Sequence, residues 1–380
     1  MRPWPFRRRR APLASLPADD LLITEERLRH ATDGVLVVHD RQIRGPVIVF
    51  RGALQVDPAR AVDTLLARFN AFGYTPFLKA ERDGVVVVQA WPLGDMTQPA
   101  RPLLAVLLFA ATVLSTFAAG YAFFTGSETF DALRAWPFPG SLLSGAPFAL
   151  TLLAILGVHE FGHYFTARYY GAVVSLPYFI PAPMLFGTFG AIIRMRSPAR
   201  DRNALFDIAA AGPLAGLIVA LPALFVGLAW SRVVPNAAGA GFGGFGYSLL
   251  TRLFVYLRFG ELGQGMAVMT HPMADAAWVG CFVTALNLFP VGQLDGGRIA
   301  YALSSRRHRL LGVVTWVFLL AMGAITGSVN WFVWAGLLLF LVGFDHSPPL
   351  DDLTPLTPAR RLLGVACLVL IILLLPPIPI

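Results

Sequence analysis

Residues 147–170 read PFALTLLAILGVHEFGHYFTARYY, a mostly apolar run broken by His159, Glu160 and His163. Its length suits one helix across a bilayer, which takes about twenty apolar residues. Residues four apart share a helix face, so His159 and His163 can offer two imidazoles to one metal ion. Glu160 stands beside them, where a carboxylate can take a proton from a water that the metal activates. A charged group at the centre of a span costs about 2.5–3.5 kcal/mol on insertion scales, so a cluster of ionisable residues there points to function. The pattern predicts zinc-dependent peptide hydrolysis inside a membrane.

Composition supports the membrane part of this reading. The 380 residues are 56% hydrophobic and 14% charged, where a soluble domain averages about 25% charged. The net charge of +8 points to membrane topology rather than to nucleic acid, and no nucleic-acid partner is expected. Cys281 and Cys367 both fall in apolar segments and suggest neither a disulfide framework nor a thiolate metal site.

Before the run, residues 1–30 open with MRPWPFRRRR and lack a continuous apolar core, which predicts a basic, disordered cytoplasmic tail rather than a signal peptide. Residues 31–100 carry valine-rich segments (GVLVVHD, GPVIVFRG, TPFLKAE, GVVVVQAW) around DPARAVDTLLARFNAFG. In that last segment Asp57 is placed as N-cap, Pro58 at the first helical position and Gly73 as the stop. The pattern is β-β-α-β-β, a small α+β domain on the cytoplasmic side; a folding or positioning module without chemistry explains it as well as any function.

Residues 101–380 form the membrane part, predicted as a helical bundle of about seven spans at 102–124, 147–168, 205–230, 276–303, 310–326, 330–344 and 362–376. The fold class is mainly α. Arg194, Arg196, Arg200 and Arg202 follow the second span, and Arg298, Arg306, Arg307 and Arg309 mark the end of the fourth. The positive-inside rule then places the N-terminus and both clusters in the cytoplasm. The glycine-rich stretch from Pro235 to Gly246 reads as a flexible loop.

Two histidines do not complete a catalytic zinc site, which commonly takes three protein ligands and leaves one position for water. The fourth span supplies a third in ALNLFPVGQLDGGRIAYAL, where Asp295 lies in an apolar stretch before Gly296 and Gly297. Spans two and four run in the same direction with their polar residues well past the start. Pro290 and the glycine pair are expected to break the fourth span, so that the ligands meet in the cytoplasmic half of the membrane.

HEFGH in one span with NLFPVGQLDGG in a later one resembles the site-2 protease family of intramembrane zinc metalloproteases. GTFGAI from Gly187, HPMADA from His271 and PVGQLDGG most resemble its ethylene-dependent gravitropism-deficient and yellow-green branch, found in cyanobacteria, other bacteria and plastids. The resemblance covers roughly residues 102–345. It implies that His159, His163 and Asp295 ligate zinc and that Glu160 activates the water. Asn287 matches the family's asparagine and would touch the substrate carbonyl or its oxyanion; alternatively it is an interhelical hydrogen bond. The substrate class implied is a transmembrane protein, cut by regulated intramembrane proteolysis in a lipid setting, here expected to be a bacterial cell membrane. No PDZ-like insertion separates the motif spans, which departs from one bacterial branch.

The stretch 173–195, VVSLPYFIPAPMLFGTFGAIIRM, is apolar but holds three prolines and two glycines, so it predicts a re-entrant loop or hairpin covered by protein. Gly187 and Gly190 are candidates for a strand edge that holds unwound substrate; a structural plug is the alternative. Gly212, Pro213 and Gly216 are expected to allow close helix packing, and His271 to lie in a loop or at an interface. A metal transporter using the same His/His/Asp cluster as a transit site is the competing function. It gives Glu160 no role, and the chain shows no internal repeat of the kind transporters use.

Overall fold

The computed structural model describes residues 18–81, 84–92, 101–124, 131–183, 186–235 and 246–376. Residues 1–17 of the expected tail and most of the glycine-rich stretch at 235–246 lie outside these. Residues 18–31, read from sequence as the end of that tail, instead form helix α1 (Ala18–Ala31). The reason is burial: Leu28 enters the apolar core of the N-terminal domain, and Arg41 bonds Glu25 and Glu26 at 3.1 and 3.0 Å.

That domain continues with β1 (Leu36–Arg44), β2 (Val47–Leu54), α2 (Pro58–Asn70), β3 (Tyr74–Ala80) and β4 (Val86–Pro92), the strands forming one antiparallel sheet in the order β1-β2-β4-β3. Asp57 caps α2 by accepting the Arg60 amide at 3.0 Å, with Pro58 in the first turn where its missing N–H costs nothing. Ala61, Val62, Leu65, Leu66 and Phe69 share one face of α2 and bury it against Ile48, Phe50 and Val88 of the sheet.

The membrane part begins with α3 (Pro102–Phe123) and α4 (Ala146–Tyr169). A hairpin of β5 (Tyr178–Pro181) and β6 (Thr188–Ile192) follows, then α5 (Arg202–Ala229). Strand β7 (Arg232–Pro235) pairs with β8 (Met266–Met269) around helix α6 (Leu249–Phe259). Then come α7 (Pro272–Asn287), α8 (Asp295–Leu303), α9 (His308–Thr326), α10 (Val329–Leu337, continued by a π turn at Leu338–Val342) and α11 (Pro358–Leu374). Among the described residues, α3, α4 with the turn before it, α5 and α9 are long and apolar enough to cross a membrane. Ile218, Ile325, Phe340 and Leu362 project largely exposed from the bundle, a surface suited to lipid, and the protein is an integral membrane protein.

The stretch expected as one span at 276–303 is two helices, α7 and α8, separated by residues 288–294. Pro290, which has no amide hydrogen to give a helix, lies in the break. The glycine pair does not break anything. Gly296 and Gly297 sit in the first turn of α8, and a Cβ on Gly296 would stand 1.7 Å from the Leu288 carbonyl oxygen. Their bare backbone lets α8 start pressed against the chain that leads into it.

A strap between α10 and α11 joins the two parts of the molecule. Leu350 enters the core of the N-terminal domain, the Leu78 amide on the edge of β3 donates to the Leu350 carbonyl at 2.8 Å, and Asp352 returns its amide to Leu78 at 3.0 Å. On its other side, Leu350 and Asp351 donate to the carbonyls of Ala199 and Arg200, both at 2.9 Å. Arg202 at the start of α5 holds buried Asp352 at 2.7 Å, and Arg200 holds Asp63 of α2 at 2.8 Å.

Candidate metal centre

Helix α4 presents His159 and His163 one turn apart, and α8 brings Asp295 across to them at its first residue. The Nε2 atoms of the two histidines are 3.2 Å apart, and Asp295 Oδ2 lies 3.1 Å from His163 Nε2 and 3.4 Å from His159 Nε2. A tetrahedral ion with bonds of about 2.0–2.1 Å has ligand atoms about 3.3–3.4 Å apart, so the triangle has the size that zinc requires. The nitrogen and oxygen donors also suit that ion. Among the described residues this is the one group of three His, Cys, Asp or Glu side chains placed to hold a metal. All three are buried.

Helix α5 sets the imidazoles. The Ile208 carbonyl accepts from His163 Nδ1 at 2.6 Å, which fixes the tautomer with Nε2 free to ligate. Gly212 faces the same ring: a Cβ there would stand 2.1 Å from His163 Nε2. Gly216, one turn on, does the same for His159 at 3.3 Å. These glycines, expected only to allow close helix packing, leave the volume that the rings occupy. Ile208 went unnoticed in the sequence because a backbone carbonyl carries no residue-type signal.

Glu160 lines the same pocket of about 180 Å³ as these three side chains. Asn287, the last residue of α7, lines it too, with Nδ2 3.5 Å from His159 Nε2, so its amide sits at the rim of the triangle. The hairpin closes another side through Ala191, Ile192 and Ile193. Gly187 and Gly190 are placed differently. Gly187 presses on α3, where the Ser115 hydroxyl donates to its carbonyl at 2.6 Å and a Cβ would be 2.5 Å from the Ser115 carbonyl oxygen. The Gly190 amide donates to Thr188 Oγ1 at 3.0 Å, so it is no free donor for a strand. His271 caps α7, accepting the Met273 amide at 3.2 Å, a structural task. The two cysteines are buried and take no part.

The family model for peptidase family M50 matches residues 147–328, from the start of the histidine run to the end of α9. Residues 147–328 are thus similar to a peptidase family M50 domain. The protein named "Probable zinc metalloprotease EGY2, chloroplastic" of Arabidopsis thaliana is 31% identical over 346 residues, 87% of this chain and 60% of that one. "Probable zinc metalloprotease EGY1, chloroplastic" is 32% identical over 301 residues in Arabidopsis thaliana, 72% of this chain and 53% of the relative. Its namesake in Oryza sativa subsp. japonica is 35% identical over 246 residues, 62% of this chain and 41% of the relative. These are the branch that the motifs resemble. The chain spans about three fifths of the length of the EGY2 relatives it matches. No solved structure matches the chain.

Proposed function

We propose that the chain is an intramembrane zinc metalloprotease that hydrolyses peptide bonds in or near transmembrane segments of membrane-protein substrates, in regulated intramembrane proteolysis. The observation that carries this is the zinc-sized triangle of His159, His163 and Asp295, buried beside Glu160, with both histidines and Glu160 on a helix long and apolar enough to cross a bilayer. His159, His163 and Asp295 would hold a zinc ion, which would supply Lewis-acid polarisation of the peptide carbonyl and lower the pKa of water from 15.7 towards about 7. Glu160 takes the proton from the attacking water and returns it to the leaving nitrogen. Asn287, with its amide at the rim of the triangle, donates to the carbonyl oxygen as negative charge builds on it.

Substrate must unwind before its peptide bond can be reached. In this reading the segment 191–193, rather than Gly187 and Gly190, offers backbone to the opened strand, since it borders the zinc pocket. The membrane part crosses seven times with the N-terminus cytoplasmic. In support, the strap ties the N-terminal domain to the start of α5, where the arginine cluster lies, and the path alternates from there between that end and the β7–β8 end. As for the compartment, the relatives named above are chloroplastic plant proteins, so a bacterial cell membrane rests on the sequence motifs alone.

The test is Glu160→Gln in the full chain, reconstituted in vesicles with single-span reporter proteins. Cleavage by the parent chain and its loss in the variant, with zinc still bound at one per chain, supports the protease. Zinc flux into the vesicles, unaffected by Glu160→Gln, would replace it with a transporter.

A further inference from the structure

Met195, Gln293 and Arg298 line the zinc pocket on one side and, on the other, a second cavity of about 480 Å³ between the N-terminal sheet and the membrane part. Phe77 and Trp91 of the sheet, their rings edge to face at 6.3 Å, form one wall, and Pro348 of the strap forms another. Trp91 is 47% exposed although it is large and apolar. This volume lies in the range of sites that bind small ligands or short peptide segments.

The charges of the cavity are one-sided. Arg196 and Arg298 line it, and among the described residues no aspartate or glutamate does. Arg298, half-buried one turn after Asp295, has as its hydrogen-bond partner the sulfur of Met195 at 3.7 Å; Glu160, lining the same zinc pocket, feels its charge without a hydrogen bond to it among the described residues. A half-buried guanidinium with a thioether for company is suited to a carboxylate brought from outside. His346 lines the same cavity with both ring nitrogens buried. Burial first, then the charges of Arg298 and His308, push its pKa down to about 4, so at neutral pH it adds no competing charge.

We propose that this cavity binds the segment of substrate polypeptide running from the zinc site towards the N-terminal domain, and that Arg298 takes a carboxylate on that segment. The occupant follows from the peptidase reading above, from adjacency to the zinc pocket across Met195, Gln293 and Arg298, and from charge: an extended peptide offers apolar side chains to Phe77 and Trp91 and an anion to Arg298. The anion has two sources, an acidic side chain near the cut or the terminal carboxylate that hydrolysis creates. Arg298 is then a specificity residue, and the N-terminal domain is one wall of the substrate path.

The test uses the full chain with zinc, carrying Glu160→Gln so that nothing is cut, and three fluorescent eight-residue peptides of one apolar sequence. One carries an aspartate and an amidated end, one a free terminal carboxylate, and one neither. Fluorescence anisotropy should show one of the first two binding about tenfold or more tightly than the third. Whichever does so identifies the source. Arg298→Gln should reduce that advantage below about threefold, and Trp91→Ala should weaken all three peptides alike. If Arg298→Gln loses its zinc, Ser347→Glu, which sets an acid in the cavity wall, should abolish the advantage instead. Equal binding of the three peptides, no binding, or an advantage that survives both substitutions overturns the proposal; so does one that survives Arg298→Gln and vanishes on zinc removal, since the carboxylate then sits on the metal. Because cleavage is not read, failure of the protease reading would show separately, in the vesicle experiment.

Discussion

Helices α4 and α9 have much the same apolar character, yet 61% of the apolar stretch ending in α4 is buried and only 17% of that in α9. Helix α4 lies against α5 closely enough that a Cβ on Gly162 would stand 2.7 Å from the Ala211 carbonyl, and it keeps Leu152, Ile155 and Leu156 inside. Helix α9 turns Leu310, Val314, Val317 and Ile325 outward. Hydropathy alone does not separate the two. Their polar content does: the ionisable residues of α4 must face protein, because lipid offers them no partner. One helix is shaped by its site and the other by its solvent.

This contrast can be broken first at the chemistry. Glu160→Gln on α4 should lower cleavage of a reporter by about 10²–10⁴ while the protein stays folded, as loss of a general base predicts. Rate measurement at saturating reporter reads it, and a loss of less than tenfold would mean that another group moves the proton.

Next in size come changes in packing. Asp352→Ala leaves Arg202 without its buried partner and should cost about 3–5 kcal/mol in the attachment of the two parts. Limited proteolysis should then release the N-terminal domain faster. Ile155→Ala, in the α4 core, should destabilise by about 2–5 kcal/mol in denaturant titration. Gly212→Ala should cost about 1–3 kcal/mol by overpacking and also weaken zinc, because the added methyl enters the His163 ring. Ile325→Ala, on a residue 79% exposed, should change stability by about 0.5 kcal/mol or less. Equal costs for Ile155→Ala and Ile325→Ala would erase the distinction between the two helices.

How far the sequence speaks follows the same division. The residues of the candidate site were legible because histidine, glutamate and aspartate stand out against an apolar run. The four strands and α2 were legible because valine alternation and the Asp57–Pro58 cap are local signals. The break at 288–294 was legible from Pro290, but the work of Gly296 and Gly297 was not, since their role depends on what the folded chain brings near them. Helix α1 was hidden because its burial comes from a sheet formed later in the sequence. The strap was hidden for a related reason: Leu350 and Asp352 look like loop residues until β3 and Arg202 are in place. Gly190 shows the opposite failure, a residue suited to strand addition whose amide is taken by its neighbour Thr188.

The central claim is that α4 and α8 bring three side chains onto one zinc ion. X-ray absorption at the zinc edge of the full chain tests it most directly. The account predicts one zinc per chain with two imidazole nitrogens at about 2.0–2.1 Å and carboxylate or water oxygen at about 2.0–2.2 Å, lost in Asp295→Ala and His163→Ala and kept in Glu160→Gln. Sulfur at about 2.3 Å, or an unchanged spectrum in Asp295→Ala, would contradict it.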